Sequence, residues 1–195
     1  MNHWIVSYGT LINKRITEKT GKSFAYIPCK IKDHVRRWSF SIPKEQRSAA
    51  GIEGRKGVNT TGALVSILES ELDLFDDREK GYERVKVKDL SILNPIKGEV
   101  PEGEYWMYIP IDPKIPTLRT PIAQTMVDVM VSACLDVSTS FAKECIMTTL
   151  DWEFPWINDR KNPLYPRYLE NLPIEKIDNI LMKTIPYHFA QRNET

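Results

Sequence analysis

Within Ser70–Val87 (SELDLFDDREKGYERVKV) the apolar residues change period partway through the stretch. Leu72 and Phe75 are spaced as one face of a helix, and Glu79 falls on that face one turn later. Residues three, four and seven apart on a helix share a side, so the glutamate is predicted to point where the leucine and phenylalanine point. Ser70 suits the N-cap position. Gly81 ends the helix, and from Tyr82 to Val87 the alternation is that of a strand. A fold that accommodates this must seat a short helix beside a strand, with a carboxylate turned inward at the junction.

A carboxylate in that position loses hydration and meets the negative end of the helix dipole. Both effects favour its neutral form, the property that lets a glutamate carry a proton near neutral pH. The periodicity leaves a second arrangement open, in which Glu79 snorkels to solvent or pairs with Lys80 or Arg84.

Strands surround this helix. Trp4-Ile5-Val6-Ser7-Tyr8 is a short apolar run halted by Gly9, which reads as a buried strand followed by a turn at Gly9-Thr10-Leu11. Backbone N–H groups at such a turn can bind a carboxylate or an oxyanion, although an ordinary strand end has the same sequence signature. Asn13–Gly21 has room for one or two helical turns. Phe24–Ile31 and Val35–Ile42 are predicted strands, the second with Trp38, Phe40 and Ile42 alternating with Arg37, Ser39 and Ser41. Lys44–Gly57, rich in Gly, Lys, Arg and Glu, is expected to be a long loop. Val58–Leu68 is a buried strand leading into the helix, and Tyr105–Ile109 is another strand after a loop at Pro95–Gly103.

Helices dominate beyond Pro116. Thr120-Pro121 is a helix start of the cap-then-proline kind, with Ile122, Met126, Val129, Met130 and Ala133 as its apolar stripe. Ser138–Leu150 is predicted as a second helix, with Phe141, Cys145 and Met147-Thr148 on its inner face. Asp151–Arg160 is a loop dense in aromatic and charged residues, Pro163, Pro166 and Pro173 keep the next stretch extended, and Ile174–Lys183 forms a last amphipathic helix. Gln191–Thr195 is expected to fray. Strands in the first half and helices in the second argue an α+β class, with a mixed or antiparallel sheet curled toward a barrel. The expected division is a domain over residues 1–150 and a Pro/aromatic-rich extension over 151–195 packed on it.

Several function classes are disfavoured. A formal net charge of +1 argues against electrostatic binding to nucleic acid or a membrane surface. The N-terminus lacks the pattern of a secretory signal, and no segment has the length of a bilayer span. Cys29, Cys134 and Cys145 have no paired spacing and read as reduced, buried thiols of a cytoplasmic protein. His3, His34 and His188 are scattered without metal-ligand spacing. There is no phosphate-binding P-loop, no GxGxxG after the first strand and no GxSxG elbow; Cys29 sits beside Pro28 in a strand, which argues against a nucleophile. What remains is the Tyr8–Leu11 turn together with the inward Glu79.

At these two places the chain resembles the gamma-glutamylcyclotransferase-like (AIG2-like) superfamily. Tyr8-Gly9-Thr10-Leu11 is similar to its YGSL or YGTL substrate-binding turn. Leu74-Phe75-Asp76-Asp77-Arg78-Glu79 with Tyr82-Glu83-Arg84-Val85 resembles its LD…E…Y.R..V signature, in which the glutamate is the catalytic acid/base. Gly62-Ala63-Leu64 resembles the strand before that helix, and Trp156–Arg160 with Tyr165-Pro166-Arg167 is similar to a C-terminal pattern in some bacterial members. Two departures stand out: Phe75 replaces the usual leucine before the aspartate, and Met126 stands where many members have a tyrosine.

The resemblance implies a barrel-like fold and a cofactor-independent enzyme of γ-glutamyl and glutathione-type metabolism. Such an enzyme releases 5-oxoproline and a free amine or amino acid from a small γ-glutamyl compound. Glu79 would be the general acid/base, with Tyr8, Gly9, Thr10 and Leu11 binding substrate. Tyr82 and Arg84 share a strand face and would either touch substrate or form a structural pair closing the barrel. Asn158, Asp159 and Arg160 would wall the pocket or form an interior salt-bridge network. A non-catalytic protein that binds an amino-containing ligand in the same pocket is the alternative, and a homodimer is left open.

Overall fold

The computed structural model describes residues 2–194. Its central unit is a pair of long antiparallel strands, β2 (Ser23–Ile42) and β3 (Arg47–Ile67), joined by a tight turn at Pro43–Glu45 with Gln46 in the left-handed region at φ 50°. β1 (His3–Ser7) lies between β3, antiparallel, and β6 (Glu104–Pro110), parallel. β6 in turn pairs antiparallel with β4 (Tyr82–Lys86) at the sheet edge. On the other side β3 passes the sheet to β7 (Ile122–Ala123), β9 (Trp156–Asn158) and β10 (Asn193–Glu194), while β5 (Leu93–Pro95) and β8 (Thr149–Leu150) pair with β2. The class is α+β with a large mixed sheet, as expected. The sheet stays open rather than closing into a barrel: β4 and β10 end its main path, and β5 and β8 form a further edge beside β2.

Several boundaries differ from the sequence reading. The expected loop at Lys44–Gly57 is a turn followed by the first half of β3, because the neighbouring segment Val35–Ile42 supplies hydrogen-bond partners along its length. The small residues of this half-strand fit a crowded surface: a Cβ at Gly51 would stand 2.2 Å from Ser39 Oγ. Only residues 55–58 fall outside the pairing, opposite Asp33, whose carboxylate accepts the Gly57 N–H at 2.6 Å. A register shift between Trp38 and Phe40 also breaks the expected alternation, so that Ser39 is buried.

The helix predicted from Thr120-Pro121 starts later, as α3 (Gln124–Val137). The Pro121 carbonyl accepts from Ser48 N and Ile122 N donates to Pro155, so these residues are held in the sheet. The next helix, α4 (Thr139–Met147), is capped by Ser138 and stops before β8; Met147 is exposed instead of facing inward. At the C-terminus, α5 (Ile174–Thr184) and α6 (Pro186–Ala190) precede β10, which pairs with β9 where fraying was expected. Thr195 lies outside the described residues.

α3 runs through the core, with every residue from Gln124 to Cys134 buried. A helix buried all round is expected where sheet and helices enclose it. Its polar residues are satisfied, Ser132 and the Val129 carbonyl by Asn13 and Gln124 by Asp128 and Arg192. Two short helices flank the site: α1 (Lys14–Glu18), capped by Asn13, and α2 (Leu72–Arg78), which buries Leu72 and Phe75 as its pattern predicts. No helix among the described residues is long and apolar enough to cross a membrane. All three cysteines are buried and free.

Candidate functional site

The end of β1 and the end of α2 meet at a cavity of about 420 Å³. β1 is buried throughout, and where it stops the chain turns through Gly9 into a single 3-10 turn, Thr10–Ile12. Ile12 N and Asn13 N donate back to the Gly9 and Thr10 carbonyls. The Thr10 and Leu11 amides open the turn, so they have no acceptor within it. Gly9, Thr10 and Leu11 line the cavity, and so does Glu79.

Glu79 is the C-cap residue of α2. Its N–H donates to the Phe75 carbonyl, and its own carbonyl accepts from Tyr82 N, closing the bend into β4. Gly81 makes that bend at φ +93°, where a Cβ would lie 2.3 Å from Phe40 Cζ. The Glu79 side chain is 18 % exposed. Its partner is neither Lys80, which pairs with Asp77, nor Arg84, which pairs with Asp76. Arg78 Nε donates to Glu79 Oε1 at 2.8 Å.

The same guanidinium ties the glutamate to the turn. Arg78 donates to Thr20 Oγ1 at 2.9 Å, and to Thr10 Oγ1 and Tyr165 Oη at 3.2 Å each. Tyr165 closes the loop by donating to Thr10 Oγ1 at 2.9 Å. Burial works against the Arg78 charge, but Tyr165 and Glu79 outweigh it and hold its pKa above the usual arginine value.

The two tyrosines predicted for the site are committed to structure. Tyr8 donates to the Tyr108 carbonyl, and Tyr82 donates to the Ala50 carbonyl at 2.8 Å. Burial, reinforced by the Glu79 charge, pushes the Tyr8 phenol well above its ordinary range; burial together with Tyr8 and Glu79 does the same for Tyr82. Both rings line the cavity as neutral groups. Arg84 is not on the cavity wall: it lies over the Trp106 ring, 5.0 Å from its centroid. Asn158, Asp159 and Arg160 also lie elsewhere. Asp159 accepts from Thr125 and Leu164, Arg160 bridges Asp128 and Asp178, and Asn158 donates to Glu194.

Several contributors escaped the sequence reading. Arg36 is fully buried beneath the turn and donates to the Tyr8 carbonyl at 2.7 Å and the Thr61 carbonyl at 3.1 Å. The alternation that turns Trp38 inward also turns Arg36 inward, so this signal was present. Arg47 sits on the cavity wall in the segment expected to be a loop. Its signal was the run of small residues Ser48–Gly51 after an aromatic strand and a proline, a hairpin pattern. Tyr165 and Arg167 reach the cavity from the C-terminal segment, and no local pattern announces that.

No protein-family model and no curated protein matches the sequence. Solved structures do match in fold. A gamma-glutamyl cyclotransferase superposes with a TM-score of 0.60 at 12% identity, over 92% of this chain and 98% of its own. An uncharacterized human protein gives 0.58 at 13% identity over 92% and 98%. YkqA from Bacillus subtilis gives 0.54 at 15% identity, over 73% of this chain and 52% of that one. The fold is that of the gamma-glutamyl cyclotransferases.

Proposed function

We propose that this protein cleaves a small γ-glutamyl compound to 5-oxoproline and a free amine or amino acid. The observation that carries the reading is that Glu79 and the Gly9–Leu11 turn line one cavity and are joined through Arg78. The reaction needs one proton shuttle and one site for developing negative charge. The substrate's α-amine attacks its own γ-carbonyl carbon, forming the ring C–N bond; because the nucleophile is tethered, proximity is built in. The amine proton passes to Glu79, and the γ-carbonyl oxygen takes the negative charge, stabilised by the amides of the turn. Collapse breaks the bond to the leaving nitrogen, which takes the proton back from Glu79.

In this reading Arg78 is a positioning residue: it holds one carboxylate oxygen of Glu79 and leaves the other for the substrate. Tyr8 and Tyr82 shape the wall, since their hydroxyls are spent on backbone carbonyls. Residues 1–150 would form the cyclotransferase-like unit, with 151–195 as an extension that completes the wall through Tyr165 and Arg167.

A binding protein is the second reading. The Arg78 contact speaks for it, since a carboxylate already engaged by a guanidinium can hold a ligand ammonium group without moving a proton. Incubation with a panel of γ-glutamyl amino acids and amines, followed by detection of 5-oxoproline, separates the two. Release from any member supports the enzyme; tight binding with no release from any supports the binding protein.

A further inference from the structure

The ladder between β1 and β3 stops just short of the turn. Its register runs from His3↔Ile67 to Ser7↔Ala63. Glu104 N of β6 donates to the Asn2 carbonyl, so even-numbered backbone groups of β1 face β6 and odd-numbered ones face β3. The next bonded pair would therefore join Gly9 to Thr61, with the Gly9 N–H donating to the Thr61 carbonyl. That carbonyl is already taken. Arg36 Nη1 donates to it at 3.1 Å and, from the same nitrogen, to the Tyr8 carbonyl at 2.7 Å. The Gly9 N–H is left with no acceptor among the described residues.

Peptide planarity carries this further. The Tyr8–Gly9 unit is trans, so its N–H points opposite to its carbonyl. The carbonyl is fixed on Arg36, which is fully buried and stands behind the cavity wall, whereas Tyr8 and Gly9 are part of that wall. Arg36 is itself held from behind, its Nε by Thr149 Oγ1 at 2.8 Å and its Nη2 by the Cys145 carbonyl at 3.2 Å. A cation on the carbonyl oxygen also withdraws electron density from the N–H of the same peptide, which strengthens that N–H as a donor.

We propose that Arg36 is the positioning residue of the Gly9–Leu11 turn. It takes the strand acceptor that Gly9 would otherwise use, holds the Tyr8 carbonyl behind the wall, and so aims a polarised Gly9 N–H into the cavity that Glu79 also lines. The use of that donor for the oxyanion of 5-oxoproline formation rests on the reading under Proposed function; its direction does not. Arg36 acts only through the peptide and touches no ligand. A guanidinium suits the task because its fixed fork holds several acceptors from one position.

The test starts from the wild-type protein without ligand. Residual dipolar couplings of the 15N-labelled chain give the direction of the Gly9 N–H, which should point into the cavity and away from Arg36. A direction toward the Thr61 carbonyl overturns the inference with no variant needed, so the proposal stays testable even where Arg36→Lys does not fold. In folded Arg36→Lys the ammonium cannot hold the Tyr8 and Thr61 carbonyls together with Thr149 and Cys145, and the Gly9 N–H should turn out of the cavity. Thr149→Val removes an acceptor on the far side of the guanidinium; it should lower the melting temperature and leave the Gly9 direction as in wild type. An unchanged direction in Arg36→Lys, or the same change in both variants, overturns the inference. Kinetics then separate it from the reading it rests on. With γ-glutamyl-alanine, Arg36→Lys should lower kcat for 5-oxoproline release about a hundredfold, the scale of one lost oxyanion-hole donor, with KM within about twofold of wild type and the pH profile unmoved. Thr149→Val should keep the wild-type kcat. The expected Gly9 direction with no release from any γ-glutamyl compound removes the cyclisation reading and leaves the positioning role standing; release that Arg36→Lys does not impair does the reverse.

Discussion

Arg78 and Glu79 are chain neighbours whose side chains also pair, Nε to Oε1 at 2.8 Å, at the point where α2 gives way to β4. Adjacent residues on a regular helix point about a quarter-turn apart, so such a pair forms where the helix ends and the backbone bends. Here the bend is the Glu79–Gly81 turn. The guanidinium then reaches Thr10 and Tyr165, so a local bend is linked to two distant segments.

Glu79→Gln is the first prediction. Glutamine keeps an oxygen to accept from Arg78 Nε but cannot take up the amine proton. The fold should survive, with a melting temperature within about 3 °C of wild type. 5-Oxoproline release should fall by about a hundredfold to ten-thousandfold, the usual scale of general acid/base catalysis. A variant with unchanged turnover on a validated substrate would remove Glu79 from the mechanism.

Arg78→Lys should fail to substitute. A lysine ammonium is a point charge on a flexible stem and cannot reach Glu79, Thr10, Thr20 and Tyr165 from one position. The side chain is 4% exposed, so the loss leaves buried acceptors unpaired. Urea unfolding should show a loss of about 3 kcal/mol. An Arg78→Lys protein within about 0.5 kcal/mol of wild type, the scale of an ordinary surface change, would show that the network has no structural weight.

The parts of this site that were legible in the sequence are those encoded by short-range pattern. Glu79 follows from the spacing of Leu72 and Phe75, and the Tyr8–Leu11 turn follows from an apolar run that stops at glycine. Both signals lie within a few residues of the groups they announce. Arg47 was hidden because Lys44–Gly57 is locally polar and glycine-rich, and only pairing with β2 makes it a strand. Tyr165 and Arg167 are farther still: nothing near them in sequence specifies Thr10 or Arg78 as a neighbour. The open sheet was also beyond local reading, since closure depends on how two edge strands meet and not on any strand's own alternation.

Gly81→Ala tests the bend itself. At φ +93° an L-residue is strained, and the new Cβ would stand 2.3 Å from Phe40 Cζ. Phe40 packs on Tyr82 at 4.3 Å between centroids, so its displacement would disturb the cavity wall. The expected cost is about 3 kcal/mol from backbone strain and overpacking together. Thermal and urea unfolding check it; a neutral substitution would mean the turn relaxes freely and does not position Glu79.

Arg36 supplies the last prediction, through Cys145. The arginine is fully buried, and its partners are the Tyr8, Thr61 and Cys145 carbonyls and the Thr60, Thr61 and Thr149 hydroxyls, with no carboxylate among them. A buried cation without an anion is unfavourable, and its charge favours the ionised form of the nearby Cys145 thiol. The Cys145 thiol is pushed down to about 6, first by a hydrogen bond from Cys134 and then by the Arg36 charge and the Thr61 hydroxyl, against burial and Glu144. Cys134 moves the opposite way and keeps its proton. A folded-state pKa below the unfolded value contributes stability that is present above the unfolded pKa and lost as pH falls through the folded one. Melting temperature should therefore decline from about pH 9 toward about pH 6 more steeply in wild type than in Cys145→Ser, with the two curves parallel below that window. Thiolate absorbance in the native protein at neutral pH, abolished by the same substitution, is the spectroscopic counterpart. Parallel curves across the whole range would mean that Arg36 is neutralised by its hydrogen bonds alone.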